Sequence, residues 1–249
     1  MKSRLLDRLL VAAQVHAVEP LGPRLRLVTL TGPDLAGLDW LPGQHVRLQL
    51  APGPAAVDWL VGTLRTYTVW SYQDQTMELV VFDHGDGPGA QWARTTRPGD
   101  ELMLMKPQGT FVTAPAPPYH LFAGEETAQA AYGPMLRALP ADARVFGRFE
   151  IDSPDERLNL IDSHHERPDP KTGRDLEWSY RQGRSAASSE TLVEAVRGLE
   201  LPAEPGRAYL AGEARTIQLI RHHLVKERNW PRRNVITKPF WTPGRKGMD

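Results

Sequence analysis

At Ala114-Pro115-Ala116-Pro117-Pro118 the chain changes its rhythm. Proline has no backbone N–H to give to a ladder and fixes its own φ, so this run cannot continue a sheet and reads as a stiff linker. Before it, short alternating runs recur between Gly and Pro punctuation, at Ala12 to Val18, Arg24 to Leu30, His45 to Leu50, Arg65 to Ser71, Met77 to Asp83 and Glu101 to Lys106. Period-two alternation puts one face of each run on a core, and six such strands predict a small β-barrel. After it, strands alternate with helices. Strands are expected at Tyr119 to Ala123, Arg144 to Glu150, Ala208 to Ala211 and near Val235 to Lys238, and helices at about Thr127 to Leu139, Ser189 to Leu199 and Arg215 to Arg228. That order predicts α/β architecture with a parallel sheet. The polar, Pro-bearing stretch Asp152 to Asp175 carries no period and reads as a long loop. The expected division is therefore a β-barrel over residues 1–114 and an α/β domain over 115–249.

Composition removes several function classes. Thirty Lys plus Arg balance thirty Asp plus Glu, so no whole-chain field draws the protein to nucleic acid or an anionic membrane, and neither is an expected partner. The absence of cysteine excludes disulfides, thiolate iron–sulfur clusters, Cys-based zinc sites and thiol catalysis, so any redox chemistry needs a borrowed cofactor. The short apolar run near the N-terminus is interrupted by Asp7 and Arg8, too early for a signal peptide or membrane span, and a cytoplasmic protein is the expectation.

Chemistry concentrates at Arg65-Thr66-Tyr67-Thr68. On a strand, Arg65 and Tyr67 share a face. A guanidinium can fork onto a diphosphate while the phenol ring packs against an aromatic heterocycle, and the Thr68 hydroxyl can bond the ring edge, which is what a flavin nucleotide needs. Downstream, His84-Gly85-Asp86-Gly87-Pro88-Gly89-Ala90-Gln91-Trp92-Ala93 is a glycine-rich turn opening a short helix, and free amides at a helix start attract phosphate.

With Pro42-Gly43-Gln44-His45-Val46, Gly124-Glu125-Glu126-Thr127-Ala128, Ala211-Gly212-Glu213-Ala214 and the C-terminal pair Phe240-Trp241, these motifs occur in an order that resembles the ferredoxin-reductase-like flavoproteins, and within them the siderophore-interacting proteins. The resemblance covers nearly the whole chain. It implies a six-stranded antiparallel flavin-binding barrel followed by a parallel-sheet, NAD(P)H-binding-like domain. It further implies an FAD-dependent oxidoreductase that takes electrons from NADH, NADPH or a reduced ferredoxin and passes them to a ferric siderophore. By the same resemblance Arg65, Tyr67 and Thr68 hold the flavin. His84, Gly85, Gly87, Pro88, Gly89, Ala90 and Trp92 wrap the ribityl and diphosphate, and Trp241 lies near the flavin or its adenine with Phe240 as packing partner. Two departures stand out: Gly89-Ala90 replaces a step that usually carries Ser, and Trp70 stands where an Arg is frequent. Two other readings stay open, a non-enzymatic flavin- or siderophore-binding module and a general flavin or electron-carrier reductase.

Thr127 follows a strand and opens a helix, so it reads equally as a nucleotide contact or as an N-cap. No Gly-x-Gly-x-x-Gly fingerprint is present. From Arg221 to Asp249 there are eight Lys or Arg against two acids, giving +6 and leaving −6 on residues 1–220. A cationic wall suits an anionic ferric chelate, and Lys238, Arg245 and Lys246 are expected to bind that substrate, with no catalytic side chain required. Elsewhere the expectations are structural. His164-His165 and His222-His223 are not metal ligands, Ser188-Ser189-Glu190 caps a helix, and Met103 and Met105 fill a core.

Overall fold

The computed structural model describes residues 10–50, 64–85, 87–161 and 174–245. The chain divides into two compact units, one ending at Val112 and the other beginning at Thr113.

The first unit is a closed barrel of six antiparallel strands, β1 (Leu10–Pro20), β2 (Leu25–Thr31), β3 (His45–Gln49), β4 (Leu64–Gln73), β5 (Thr76–Phe82) and β6 (Glu101–Gln108), in the order β1-β2-β5-β4-β3-β6. Closure follows from β1 pairing with both β2 and β6, which leaves no strand edge exposed. Alternate residues meet inside, among them Val11, Val15, Val28, Leu30, Val46, Leu48, Val69, Met77, Leu79 and Leu104. Helix α1 (Pro88–Thr95) adds Ala93 to this core, with Trp92 packed against it. Met103 and Met105 fall on the other parity of β6, half-buried, rather than in the core.

The second unit is a five-stranded sheet in the order β11-β10-β7-β8-β9. Its strands are β7 (His120–Glu125), β8 (Val145–Ile151), β9 (Arg174–Tyr180), β10 (Arg207–Glu213) and β11 (Val235–Trp241), and every pairing is parallel. Helix α2 (Gln129–Arg137) packs Tyr132 against Phe122 and Phe149 on one face. Helices α3 (Glu190–Arg197) and α4 (Ala214–His222) send Leu192, Val196, Ile217 and Ile220 onto Leu121, Ala123 and Leu210 on the other. Ser189 caps α3 by accepting the Leu192 N–H at 3.1 Å, as its sequence position suggested.

The structure differs from the sequence expectation at three places. The stretch expected to be loop to Asp175 gives way at Arg174 to β9, an edge strand of intermediate burial in which Leu176, Trp178 and Tyr180 alternate with Asp175, Glu177 and Ser179. The expected helix from Thr127 to Leu139 is a 3-10 turn, Glu126–Ala128, followed by α2, which carries Pro134 inside it. The expected helix from Arg215 to Arg228 changes after His222 to a π-helical turn, His223–Glu227.

Candidate functional site

In the barrel the candidate residues converge on β4 and α1. Register sets Tyr67 opposite Val46 and Arg65 opposite Leu48, and both partners are fully buried. Opposed residues share a face, so Arg65 and Tyr67 stand together on the core side of β4. They meet at Gly89, where a Cβ would lie 2.9 Å from Tyr67 Oη and 3.9 Å from Arg65 Cγ. Glycine at this step is thus what lets Tyr67 approach. The Tyr67 hydroxyl donates to the Gly89 carbonyl at 3.3 Å, and its ring centroid lies 5.2 Å from that of Trp92, tilted by 47°. Burial raises the phenol far above its ordinary range, with the Arg65 charge acting in the opposite sense, so Tyr67 stays neutral. Thr68 takes the other face, opposite His45, and both are buried there. The structure therefore brings Arg65, Tyr67, Gly89 and Trp92 together and sets Thr68 apart from them.

The turn before α1 is braced by a residue that sequence reading passed over. Arg94 donates through Nε to Asp83 at 2.9 Å and through Nη2 to the Gly85 carbonyl at 2.7 Å. Exposed His84 stacks on Phe82 at 5.6 Å. Gly85 has φ +65°, and a Cβ at Gly85 or at Gly87 would meet nothing within 4 Å, so space is open there. Gly87 is the N-cap of α1 and supplies no side-chain bond, while Pro88 has no N–H. The first-turn amides of Gly89 and Ala90 therefore have no side-chain cap. An uncapped helix start beside an arginine and a flat ring fits the diphosphate and ring of a flavin nucleotide.

In the second unit, the chain leaves β7 towards β8 and returns through β10 on the opposite side, so the switch point lies between the C-terminal ends of β7 and β10. The two turns there are near copies, Ala123-Gly124-Glu125 and Ala211-Gly212-Glu213. A Cβ at Gly124 would fall 2.2 Å from the Ala211 carbonyl, and one at Gly212, where φ is +119°, would fall 2.6 Å from Glu125 Oε1. Glycine is required at both by close approach. Tyr132 fills the gap, accepting the Ala211 N–H at 2.8 Å and lying 2.6 Å from the Ala123 carbonyl.

Both glutamates fold back onto their own helix starts. Glu213 accepts from the amides of Arg215 and Thr216, each at 2.9 Å, from the Thr216 hydroxyl at 2.9 Å and from the Ser188 amide at 3.0 Å. Burial pushes its carboxyl up, but these four donors win and hold it below the usual carboxylate range. Glu125 accepts from the Thr127 amide at 2.9 Å, from the Thr127 hydroxyl, and from the Trp241 indole N–H at 3.0 Å. Complete burial, with the charge of Glu126 next to it, pushes Glu125 up to about 7. Glu125, not Thr127, is thus the cap, and both donors of Thr127 are committed to it. Trp241, through its bond to Glu125, links the end of β11 to the end of β7. A bulge separates the pairs Gly212–Pro239 and Glu213–Trp241, leaving Phe240 out of register.

Arg181 pairs with Glu126 and lies 3.7 Å from Glu150, whose Oε1 accepts from Ser189 at 2.7 Å. These buried groups tie the ends of β7, β8 and β9 to α3. Arg181 directly follows β9, a strand for which the sequence expectation made no assignment. Lys238 is half-buried on β11, in register with Ala211 and on the face of Gly124. Arg245 is exposed in the following turn, and Lys246, with His164 and His165, lies outside the described residues. Among the described residues no cluster of His, Asp or Glu forms a metal site, and no helix is long and apolar enough to cross a membrane.

Residues 14–111 match the siderophore-interacting FAD-binding domain, and residues 117–244 match the siderophore-interacting protein family. The chain belongs to the siderophore-interacting protein family. Ferric vibriobactin reductase ViuB of Vibrio cholerae is 28% identical over 237 residues, covering 88% of this chain and 84% of that protein. A siderophore utilization protein from T. fusca superposes with a TM-score of 0.82 at 27% identity, covering 96% of this chain and 95% of that one. Ferredoxin-NADP+ reductase from Plasmodium falciparum shares the fold, with a TM-score of 0.72 at 11% identity over 93% of this chain and 96% of that one. The barrel-plus-parallel-sheet architecture is therefore ferredoxin-reductase-like, and the family membership supports FAD as cofactor and an oxidoreductase class.

Proposed function

We propose that this protein is an FAD-dependent reductase of ferric siderophores, which releases iron by converting iron(III) to the more weakly chelated iron(II). The observation that carries the reading is the Arg65–Tyr67–Gly89 cradle, which fits a flavin nucleotide, in a chain similar to ferric vibriobactin reductase over most of its length. Arg65 and the Gly89 and Ala90 amides hold the diphosphate, and Tyr67, fixed by Trp92 and the Gly89 carbonyl, presents its ring to the heterocycle. Bound FAD supplies the conversion between paired and single electrons. No side chain need act as acid, base or nucleophile. Lys238 and Arg245 attract the anionic chelate as mobile and forked cations.

The turns at the switch point favour a protein electron donor over NADH or NADPH. A dinucleotide pyrophosphate docks on free amides at a helix start. Here the amides of Thr127, Arg215 and Thr216 are already given to Glu125 and Glu213, and a carboxylate in that place repels phosphate. The test is to purify the protein, record its absorption, and add NADH, NADPH, a reduced ferredoxin and a ferric siderophore in turn under nitrogen. A colourless protein that also fails to bind added FAD would refute the reading.

A further inference from the structure

The positive charge of the C-terminal region does not gather around Lys238. It gathers on α4 and the turns after it, where Arg215, Arg221, Lys226 and Arg232 line an open groove of about 500 Å³ together with Gln218, His222 and the apolar Leu219 and Val225. The four cations are exposed, and among the described residues none of their side chains has a hydrogen-bond or ion-pair partner. The nearest acid in sequence, Glu227, is turned away to Arg197 and His223. No acid lines the groove.

Residues 215, 218, 219 and 222 fall on one face of α4, since neighbours on such a face are three or four apart, and 225 and 226 in the π-helical turn continue the same groove. At about 1.5 Å per residue that stripe is about 16 Å long. A single phosphate would use one end of it. Arg215 and Lys226 stand at the two ends of that stripe, and Arg221 and Arg232 also line the groove. Four unneutralised cations beside apolar Leu219 and Val225 match the acidic surface of a small protein, whose carboxylates would pair with them while its apolar atoms cover Leu219 and Val225. The groove starts at Arg215, three residues after Gly212 at the switch point, on the helix whose first amides Glu213 withholds from a nucleotide.

We propose that this groove is the docking surface for an acidic electron-carrier protein. The assignment of the partner as an electron carrier rests on the reductase reading above. The docking surface itself rests on the charge and shape of the groove.

The test uses the full-length protein and a small acidic [2Fe–2S] ferredoxin as probe, with binding measured by calorimetry at low salt and at 0.3 M salt. Exposed charges lose most of their mutual attraction beyond about 10 Å at 0.1 M ionic strength, so the dissociation constant should rise steeply with salt. Arg221→Glu with Lys226→Glu, both at exposed positions, should weaken binding at low salt by about tenfold or more and flatten the salt dependence. A circular dichroism spectrum matching that of the parent verifies that the double variant is folded. Equal binding by parent and double variant, or no binding of the ferredoxin at low salt, would overturn the proposal. So would groove-dependent binding of anionic vesicles with no binding of the ferredoxin. Ferric-chelate reduction by the dithionite-reduced parent protein is measured separately, and its absence would remove the reductase reading while leaving the binding result to judge the groove.

Discussion

Replacing Glu125 by Gln tests the electrostatics of the switch point. In the folded protein this carboxyl sits at about 7 because it is fully buried next to Glu126, whereas an unfolded chain returns it to its ordinary 4.5. Between those values the folded state binds the extra proton, so the unfolded state gains on it as pH rises, and stability falls. At about 1.4 kcal/mol per tenfold, the full penalty on the ionised form is about 3 kcal/mol, and about 2.5 kcal/mol of it accrues between pH 5 and pH 8. Glutamine keeps one oxygen for the Trp241 and Thr127 donors and carries no charge. It leaves the Thr127 amide poorly satisfied, which costs about 1 to 3 kcal/mol at every pH. The two profiles must therefore converge with rising pH. Relative to the parent, Glu125→Gln should gain about 2.5 kcal/mol from pH 5 to pH 8, roughly 8 °C in melting temperature for a unit of this size. Thermal unfolding followed by circular dichroism across that range measures it. The contribution of His120, which burial lowers to about 4, is common to both proteins and cancels in the difference. Parallel profiles would refute the assignment of Glu125 as a buried, proton-retaining cap.

Arg65→Ala should weaken FAD by about 1 to 3 kcal/mol, the range for loss of a charged hydrogen bond, and equilibrium titration of the apoprotein with FAD checks it. Glu213→Ala strips a buried cap that takes four donors, and it should cost about 2 to 4 kcal/mol in denaturant unfolding. A loss below about 0.5 kcal/mol would contradict the capping role. Lys238→Ala should raise the apparent constant for an anionic ferric siderophore without altering FAD content, and the effect should shrink as salt is added. An unchanged constant at every ionic strength would remove Lys238 from substrate binding.

The barrel was legible because its strands alternate cleanly and each has one face on a closed core, so hydrophobic period and turn punctuation agree. β9 carries the same signal, since Leu176, Trp178 and Tyr180 alternate with Glu177 and Ser179, but it follows directly on the polar, unperiodic stretch from Asp152 and has no assignment in the sequence expectation. The Arg65–Tyr67 pair was readable from strand parity alone. The same parity rule separates Thr68 from them, an implication that the motif reading did not draw. The roles of Glu125 and Glu213 were hidden for another reason. A Gly-Glu turn between strand and helix reads as a phosphate site until the side chain is seen to turn back on its own amides. Net charge identified a basic C-terminal region, but only the helical face of α4 and the diversion of Glu227 to Arg197 reveal where its unpaired cations stand.

Ferric-siderophore reduction can be read in a single turnover, by reducing the purified protein with dithionite under nitrogen, removing excess reductant, and mixing it with a ferric siderophore and a ferrous trap. The flavin absorption should return to its oxidised form while roughly two iron(II) per flavin appear in the trap, because a fully reduced flavin holds two electrons that leave singly. Reduced flavin that persists beside the ferric siderophore, with no iron(II) trapped, would contradict it.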